Sequence, residues 1–333
     1  MALSVQPTQY AGRPALQVED EALRLVILPE LGAKVVSLVL KRTGREYLWR
    51  HPERPLRPAT YDDDFTAGYL GGWDECFPTI GAGVYPEAPW AGVGLPDHGE
   101  LWALPWHYAQ QGDQLRMWVH SPRFAYTFER TFQFLGAAGL SIAYRVTNPT
   151  PFALRALWSL HPFLSVTPAT RVLLPAGLRV RVELSQGQRL GGFLSEHNWP
   201  VATDVAGQAV DLSLMGPLDT RWMEKLFTTP LPEGWAGFHD GEDDHYLLFT
   251  FAPAEVPFVG LALMRGGWPA TGAPVYSLIL EPCTGWPDRL DIAIPRGAAM
   301  TIPAQGERAW SLDLRLGVGP VWSQMAARAA QPE

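Results

Sequence analysis

The sequence predicts an all-β chain, and three observations carry that prediction. Apolar and polar residues alternate along several stretches, which is the period-two signature of half-buried antiparallel strands. Glycine and proline are abundant, 32 and 31 in 333 residues, and cut the chain into many short elements joined by turns. Helical periodicity is confined to two short stretches. With 47% apolar residues the chain can build a sizeable core. About sixteen strands are legible, and no break in composition marks a linker. They read as a single domain over 1–333, with its core at about 20–316. So many strands suggest two large antiparallel sheets packed face to face.

The chain opens as a meander. Leu23–Leu28 (LRLVIL) is a strand, Pro29, Glu30, Leu31 and Gly32 turn the chain, and Lys34–Leu40 (KVVSLVL) is the next strand. Thr43 and Gly44 turn it again before a strand at 46–49. From 51 to 106 the alternation dissolves into Pro, Gly, Asp and Trp. A loop of that length inside a compact domain is usually functional. It holds two dense clusters, 71–78 (GGWDECFP) and 95–102 (LPDHGELW).

Strands resume at 114–119 and 124–134. Phe124, Tyr126, Phe128, Arg130, Phe132 and Phe134 share one face. At 140–146 the pattern repeats through Leu140, Ile142, Tyr144 and Val146. A strand at 152–160 runs up to His161, which period two places on the face of Arg155, Leu157 and Ser159. Shorter strands follow at 172–174 and 178–184. The polar segment 191–217 reads as loop, and 219–226 (DTRWMEKL) as one or two helical turns. Further strands are predicted at 246–251, 258–264, 275–280, 290–294, 299–302 and 309–316. In the last, Leu312, Leu314 and Leu316 alternate with Ser311, Asp313 and Arg315. The tail from Met325 reads as helical.

Charge narrows the function. The net charge of −8 leaves no basic surface for nucleic acid or an anionic membrane. No run of about eighteen apolar residues is present for a membrane span. The N-terminal residues lack the basic start and apolar stretch of a secretory leader. Two cysteines, Cys76 and Cys283, make no disulfide framework and read as small buried thiols. A cytoplasmic protein with reduced thiols is expected. His239 and His245, with Asp240, Asp243 and Asp244, are dense in titratable groups but read as a solvated turn, because a metal site needs convergent ligands. Neither a glycine-rich phosphate loop nor a G-x-S-x-G elbow occurs.

The stretch that organises the chemistry is 275–290 (VYSLILEPCTGWPDRL). Its apolar run stops at Glu281. A carboxylate there is either a partly desolvated base or an ordinary strand-end acid in water. His161 is either a proton donor poised near neutral pH or an imidazole bonded to backbone. His98 lies between Asp97 and Gly99, in a loop where the backbone can approach a ligand closely. Trp73, Asp74, Glu75, Trp102, Trp268 and Trp286 combine flat aromatic faces with carboxylates, as sugar sites do, yet each tryptophan can equally be core.

Together these residues resemble the aldose 1-epimerase (galactose mutarotase-like) family. The turn at 29–33 leading into Val35, Val36, Ser37 and Leu38 is similar to its first strands. The 71–78 cluster resembles its GG-x-x-E-x-x-P loop, Leu95 to Gly99 its first histidine motif, and Leu160-His161-Pro162-Phe163 its His-Pro-Tyr/Phe motif. Glu281-Pro282 with Trp286-Pro287-Asp288 resembles its C-terminal glutamate motif. The resemblance implies a β-supersandwich whose open face holds a sugar. It implies catalysis by Glu281 as base, His161 as acid and His98 as a hydrogen-bonding partner of the sugar. Trp73, Asp74, Glu75, Lys225, Trp268 and Trp286 would contact the substrate. It implies neither metal nor cofactor. The chain departs from the family by lacking its loop arginine. Glu100 stands where members acting on sugar phosphates carry an arginine, which disfavours hexose 6-phosphates. The aspartate that contacts sugar hydroxyls in some members has candidates here in Asp240, Asp243 and Asp244. A non-catalytic sugar-binding protein and an epimerase or isomerase acting at another carbon are the alternatives.

Overall fold

Alternating burial is clearest in Thr127–Gly136 (TFERTFQFLG), where every second residue is buried. It belongs to an eight-stranded antiparallel sheet in the order Thr170–Leu173, Trp235–Asp240, His245–Phe251, Gly306–Val318, Gly139–Asn148, Thr127–Gly136, Gln114–His120, His107–Gln111. These strands come from a computed structural model that describes residues 3–57, 59–67, 70–218, 221–269 and 273–320. A second sheet has twelve strands. Its path runs Ser4–Tyr10, Arg13–Glu19, Leu23–Leu28, Lys34–Leu40, Trp73–Cys76, Ser159–Leu164, Tyr276–Cys283, Phe258–Arg265, Trp222–Thr228, Arg179–Ser185, Glu196–Asn198, with Arg45–Glu46 beside Lys34–Leu40. The expected pair of antiparallel sheets is therefore present, and their facing sides enclose the main hydrophobic core.

The central strands of the larger sheet behave differently from those of the smaller one. Ser159–Leu164 and Phe258–Arg265 are buried at every position. One face meets the core. The other meets a separate apolar cluster around Phe65, Leu70, Trp102, Phe163, Met264 and Ile279. That second cluster forms the surroundings of the site.

Trp73–Cys76 shows how the two faces divide. Trp73 and Glu75 point into the core, and Asp74 points the other way. Glu75 Oε1 accepts from Arg130 Nη1 (2.8 Å), Tyr144 Oη (3.0 Å) and Trp73 Nε1 (3.2 Å), while Oε2 accepts from Trp158 Nε1 (2.9 Å). Arg130 also donates to the carbonyl of Ala33 at 2.6 Å. Both charged side chains are fully buried, so each is tolerated only because the other is there.

Several elements differ from the sequence reading. Residues 222–228 form a strand rather than helical turns, because they are paired on both sides, by Arg179–Ser185 and by Phe258–Arg265; Asp219 and Thr220 lie outside the described residues. Leu290–Ala293 is a single helical turn and not a strand, burying Leu290 and Ala293 three positions apart. The strand read at 152–160 is two: Leu154–Ala156 pairs with Met300–Ile302, and Ser159–Leu164 enters the larger sheet. Trp235–Asp240 was not foreseen; its Gly237 lies so close to Leu247 that a Cβ would meet that carbonyl oxygen at 2.4 Å. The N-terminal hairpin Ser4–Tyr10 with Arg13–Glu19 lies before the expected core. Within 191–217, short strands occur at Glu196–Asn198, Val201–Thr203 and Ala209–Asp211. The tail from Met325 lies outside the described residues.

Removing Arg130 strands the Glu75 carboxylate in the core. Arg130→Met is expected to lower the unfolding free energy by about 3–5 kcal/mol in urea titrations, and a loss well under 1 kcal/mol would contradict the account of this pair.

Candidate active site

Strand register assembles the site. His161 is the partner of Asp74 on one side. On the other side, the pairs Ser159–Cys283 and Phe163–Ile279 place His161 opposite Glu281. Glu281 in turn faces Gly260. Directly opposed residues of an antiparallel pair share a face, with Cα atoms about 4.5–5.5 Å apart. One polar row, Asp74, His161 and Glu281, therefore crosses the outer face of the larger sheet. Two residues along the strands the next row is Phe163, Ile279, Ala262 and Lys225. Gly260 makes room for the carboxylate, since a Cβ there would come within 3.0 Å of Glu281 Oε2.

Both key polar residues lie inside strands, not at their ends as the sequence suggested. Glu281 sits within Tyr276–Cys283 and is fully buried. His161 is the third residue of Ser159–Leu164 and is 3% exposed. His98 arrives from a loop. Its backbone N–H donates to the Ile80 carbonyl (2.7 Å), and Glu100 N–H donates to Phe77 (2.7 Å). Between them Gly99 has φ +73°, and a Cβ on it would lie 2.2 Å from the Phe77 oxygen, so only glycine lets the loop pack this tightly. The His98 ring stacks on Phe65 at 3.8 Å and meets the edge of His161 at 4.8 Å between centroids.

Lys225 holds the carboxylate. Its Nζ lies 2.5 Å from Oε1 and 2.6 Å from Oε2 of Glu281, and Ser159 Oγ donates to Oε2 at 3.2 Å. Asp288 Oδ1 is 3.6 Å from the same ammonium. Burial pushes the Glu281 carboxyl up from its ordinary value, with Lys225 pulling against it. Burial would lower Lys225, but Asp288 and Glu281 more than reverse this, and it stays an ammonium. His161 is held well below its ordinary value by burial and by His98, Lys225 and Lys34 nearby. Burial beside Asp288 pushes Glu183, at a bulge in Arg179–Ser185, up to about 8.

Glu281, His161, His98, Lys225 and Asp288 line a pocket of about 190 Å³, together with Phe65, Phe163, Met223, Met264, Trp268 and Ile279. Among the described residues, His161 Nδ1, His98 Nδ1 and Asp288 Oδ1 are buried without a hydrogen-bond partner. Asp97 Oδ2 lies 3.0 Å from His98 Nδ1. Unsatisfied buried polar atoms converging on one cavity mark a place for a polar ligand.

Of the residues singled out from sequence, Glu281, His161, His98, Lys225 and Trp268 meet in this pocket. Asp74 is one strand behind His161, ion-paired with Lys34. Trp73 and Glu75 do not reach it; period two turns them into the core. Trp286 lies under Arg181 (4.3 Å) and meets Phe258 edge to face, away from the lining. Glu100 also faces elsewhere, accepting from Tyr61, Ser121 and Tyr126. The candidate aspartates are likewise elsewhere: Arg45 takes Asp240 and Asp243, and His239 takes Asp244 at 2.8 Å. Cys76 and Cys283 are buried free thiols that flank Ser159 across the sheet. Phe65, Met223 and Met264 were missed, because methionines and a loop phenylalanine carry no signal apart from the strands that gather them.

No protein-family model matches the sequence, and a search of curated proteins finds no match. Solved structures do match over nearly the whole chain. A Synechocystis protein superposes with a TM-score of 0.67 at 20% identity, covering 95% of this chain and 98% of its own. A galactose mutarotase-like protein from Lactobacillus casei gives 0.59 at 18% identity, covering 91% and 100%. A galactose mutarotase related enzyme from Lactobacillus acidophilus gives 0.63 at 13% identity, covering 92% and 98%. At such identities the likeness is one of fold, and the fold is galactose mutarotase-like.

Two measurements test the electrostatics. With Lys225→Met the Glu281 carboxyl is left buried beside Asp288, so its titration followed by carboxyl 13C NMR should move to higher pH; an unmoved titration contradicts the pairing. His161 has the opposite linkage. Below about pH 6.5 the unfolded chain takes up a proton that the folded chain resists, so stability falls as pH drops. His161→Asn should narrow the gap in melting temperature between neutral pH and about pH 5.5. A gap equal to that of the wild type would show that His161 is not the group responsible.

Proposed function

We propose that the chain is an aldose 1-epimerase, interconverting the α and β anomers of an uncharged sugar. The observation that carries this reading is the opposition of His161 and Glu281 on neighbouring strands, beside His98, in one pocket. Ring opening requires a base at the C1 hydroxyl and an acid at the ring oxygen at the same moment. Glu281 takes the C1 hydroxyl proton. The electron pair of that O–H bond forms the C1 carbonyl, the C1–O5 bond breaks, and His161 delivers a proton to O5. The open aldehyde turns about C1–C2, and the reverse transfers close the ring on the other face. Each positioned proton transfer contributes roughly a hundredfold or more. His98 hydrogen-bonds the sugar beside the ring oxygen. Lys225 and Ser159 orient the carboxylate.

The preference for a neutral sugar has a different source from the one read in the sequence. Glu100 is turned away, but among the described residues of the lining Asp97, Asp288 and Glu281 stand against the ammonium of Lys225. A phosphate there would meet more negative than positive charge.

A second reading also has an observation behind it. Lys225 occupies both oxygens of Glu281, and a carboxylate so engaged is a weaker base, as in a sugar-binding protein with little turnover. Polarimetry on freshly dissolved anomers separates the two. Glu281→Gln and His161→Asn should each slow the catalysed rate at least about a hundredfold with the fold intact. Wild-type protein that leaves the spontaneous rate unchanged, while a sugar still raises its melting temperature, selects the binding reading.

The pH profile gives an independent check. kcat/KM falls at low pH as Glu281 is protonated and at high pH as His161 loses its proton. Because His161 is held well below its ordinary value, the maximum should lie on the acidic side of neutrality. A rate still rising to about pH 8 would rule out His161 as the acid.

A further inference from the structure

We infer that Asp288 receives the 2-hydroxyl of the sugar, so that the pocket takes aldoses with a free hydroxyl at C2 in preference to 2-deoxy and 2-O-substituted ones. The inference rests on the ring-opening reading for the sugar's orientation and adds to it a residue that sets specificity. Across the larger sheet the strands run Ser159–Leu164, Tyr276–Cys283, Phe258–Arg265, Trp222–Thr228, Arg179–Ser185. His161 and Glu281 stand on the first two. Gly260, opposite Glu281 on the third, adds no side chain. From the fourth, the Lys225 ammonium reaches back to Glu281. Asp288 Oδ1 lies 3.6 Å from that ammonium, and the Asp288 backbone N–H donates to Glu183 of the fifth strand. Asp288 therefore stands on the side of Glu281 away from His161.

The chemistry places C2 on that same side. O5 and C2 are the two ring neighbours of C1. With O5 at His161 and the C1 hydroxyl at Glu281, C2 and its hydroxyl are directed towards Lys225 and Asp288. A hydroxyl both donates and accepts. Here it donates to the Asp288 carboxylate and accepts from the ammonium. Asp288 has the capacity for this bond. Its Oδ1 is buried without a hydrogen-bond partner, and its side chain, 22% exposed, lines the pocket. Asp97, another carboxylate of the lining, is already engaged. It accepts from the backbone N–H groups of Ala82 and His98 and lies 3.0 Å from the His98 ring. Asp288 is also fixed in position, because its carbonyl accepts from Ile80 N–H (3.0 Å) and Gly81 N–H (2.7 Å). A sugar that desolvates this carboxylate without supplying a donor leaves it unpaired, and is rejected for that reason.

The test uses sugar pairs that differ only at the 2-hydroxyl: D-glucose against 2-deoxy-D-glucose, D-galactose against 2-deoxy-D-galactose, and L-fucose against 2-deoxy-L-fucose. Anomerisation above the spontaneous rate and thermal shifts are measured for each on the whole chain. In at least one pair the 2-hydroxy member should exceed its partner by about tenfold or more in kcat/KM. If every 2-deoxy sugar is turned over as fast as its partner, the inference is overturned and the ring-opening reading stands. If no sugar is turned over but 2-hydroxy members alone raise the melting temperature, the contact stands and the ring-opening reading falls. If none is turned over or bound, both fall. Asp288→Ala should slow the 2-hydroxy member more than the 2-deoxy member and bring the ratio of the preferred pair towards one, with Asp288→Ser as a second variant should the first not fold. A role confined to the charge beside Lys225 would slow both members alike, so an unchanged ratio in a folded variant overturns the contact.

Discussion

The pairing of Ser159–Leu164 with Tyr276–Cys283 is the contact on which the rest of the site depends. It sets His161 opposite Glu281, the pair on which the proposed proton transfers rest. A slip of one residue in either strand would turn that strand's polar residue to the core face. Three features hold the register. Phe163 and Ile279 oppose each other in one cluster, Leu160 and Leu280 are buried in the other, and Ser277 Oγ ties back to the Leu164 carbonyl at 2.9 Å.

The same sheet carries charge on both faces, and each charge is matched. Asp74 and Glu75 are adjacent in sequence but look in opposite directions. Glu75 meets Arg130 across the core, and Asp74 meets Lys34 on the outer face. Glu281 meets Lys225 two strands away. The core pair is enclosed by Trp73, Trp106 and Phe132 and joins the larger sheet to the smaller one. Of the outer pairs, Glu281 with Lys225 lines the pocket. There the cost of burying charge is linked to the chemistry, because the same burial shifts Glu281 upward and His161 downward.

What was legible in the sequence follows from this arrangement. Strands of the smaller sheet, such as 127–136 and 306–318, alternate cleanly because one face is buried and the other is partly exposed. The central strands of the larger sheet are buried on both faces, so they read as apolar runs without alternation. Glu281 and His161 then looked like strand ends, since a polar residue in an apolar run is ordinarily where the strand stops. The structure brings both into one pocket, but from within strands and not from their ends. Trp73 and Glu75 were misplaced because a four-residue strand inside a long loop gives too little pattern to assign a face. Phe65, which stacks on His98, comes from that same loop and could be found only from the folded chain. Lys225 was named as a pocket residue, but its two-oxygen grip on Glu281 depends on strands distant in sequence.

The central claim is that Glu281 and His161 open a sugar ring by moving protons between oxygens, leaving every carbon-bound hydrogen in place. Exchange NMR at anomeric equilibrium, in deuterated water with a panel of uncharged aldoses, tests this most directly. The account predicts α–β exchange cross-peaks that strengthen with protein concentration, with no deuterium appearing at C1 or C2. Exchange no faster than in buffer, or deuterium incorporated at C2, would contradict it.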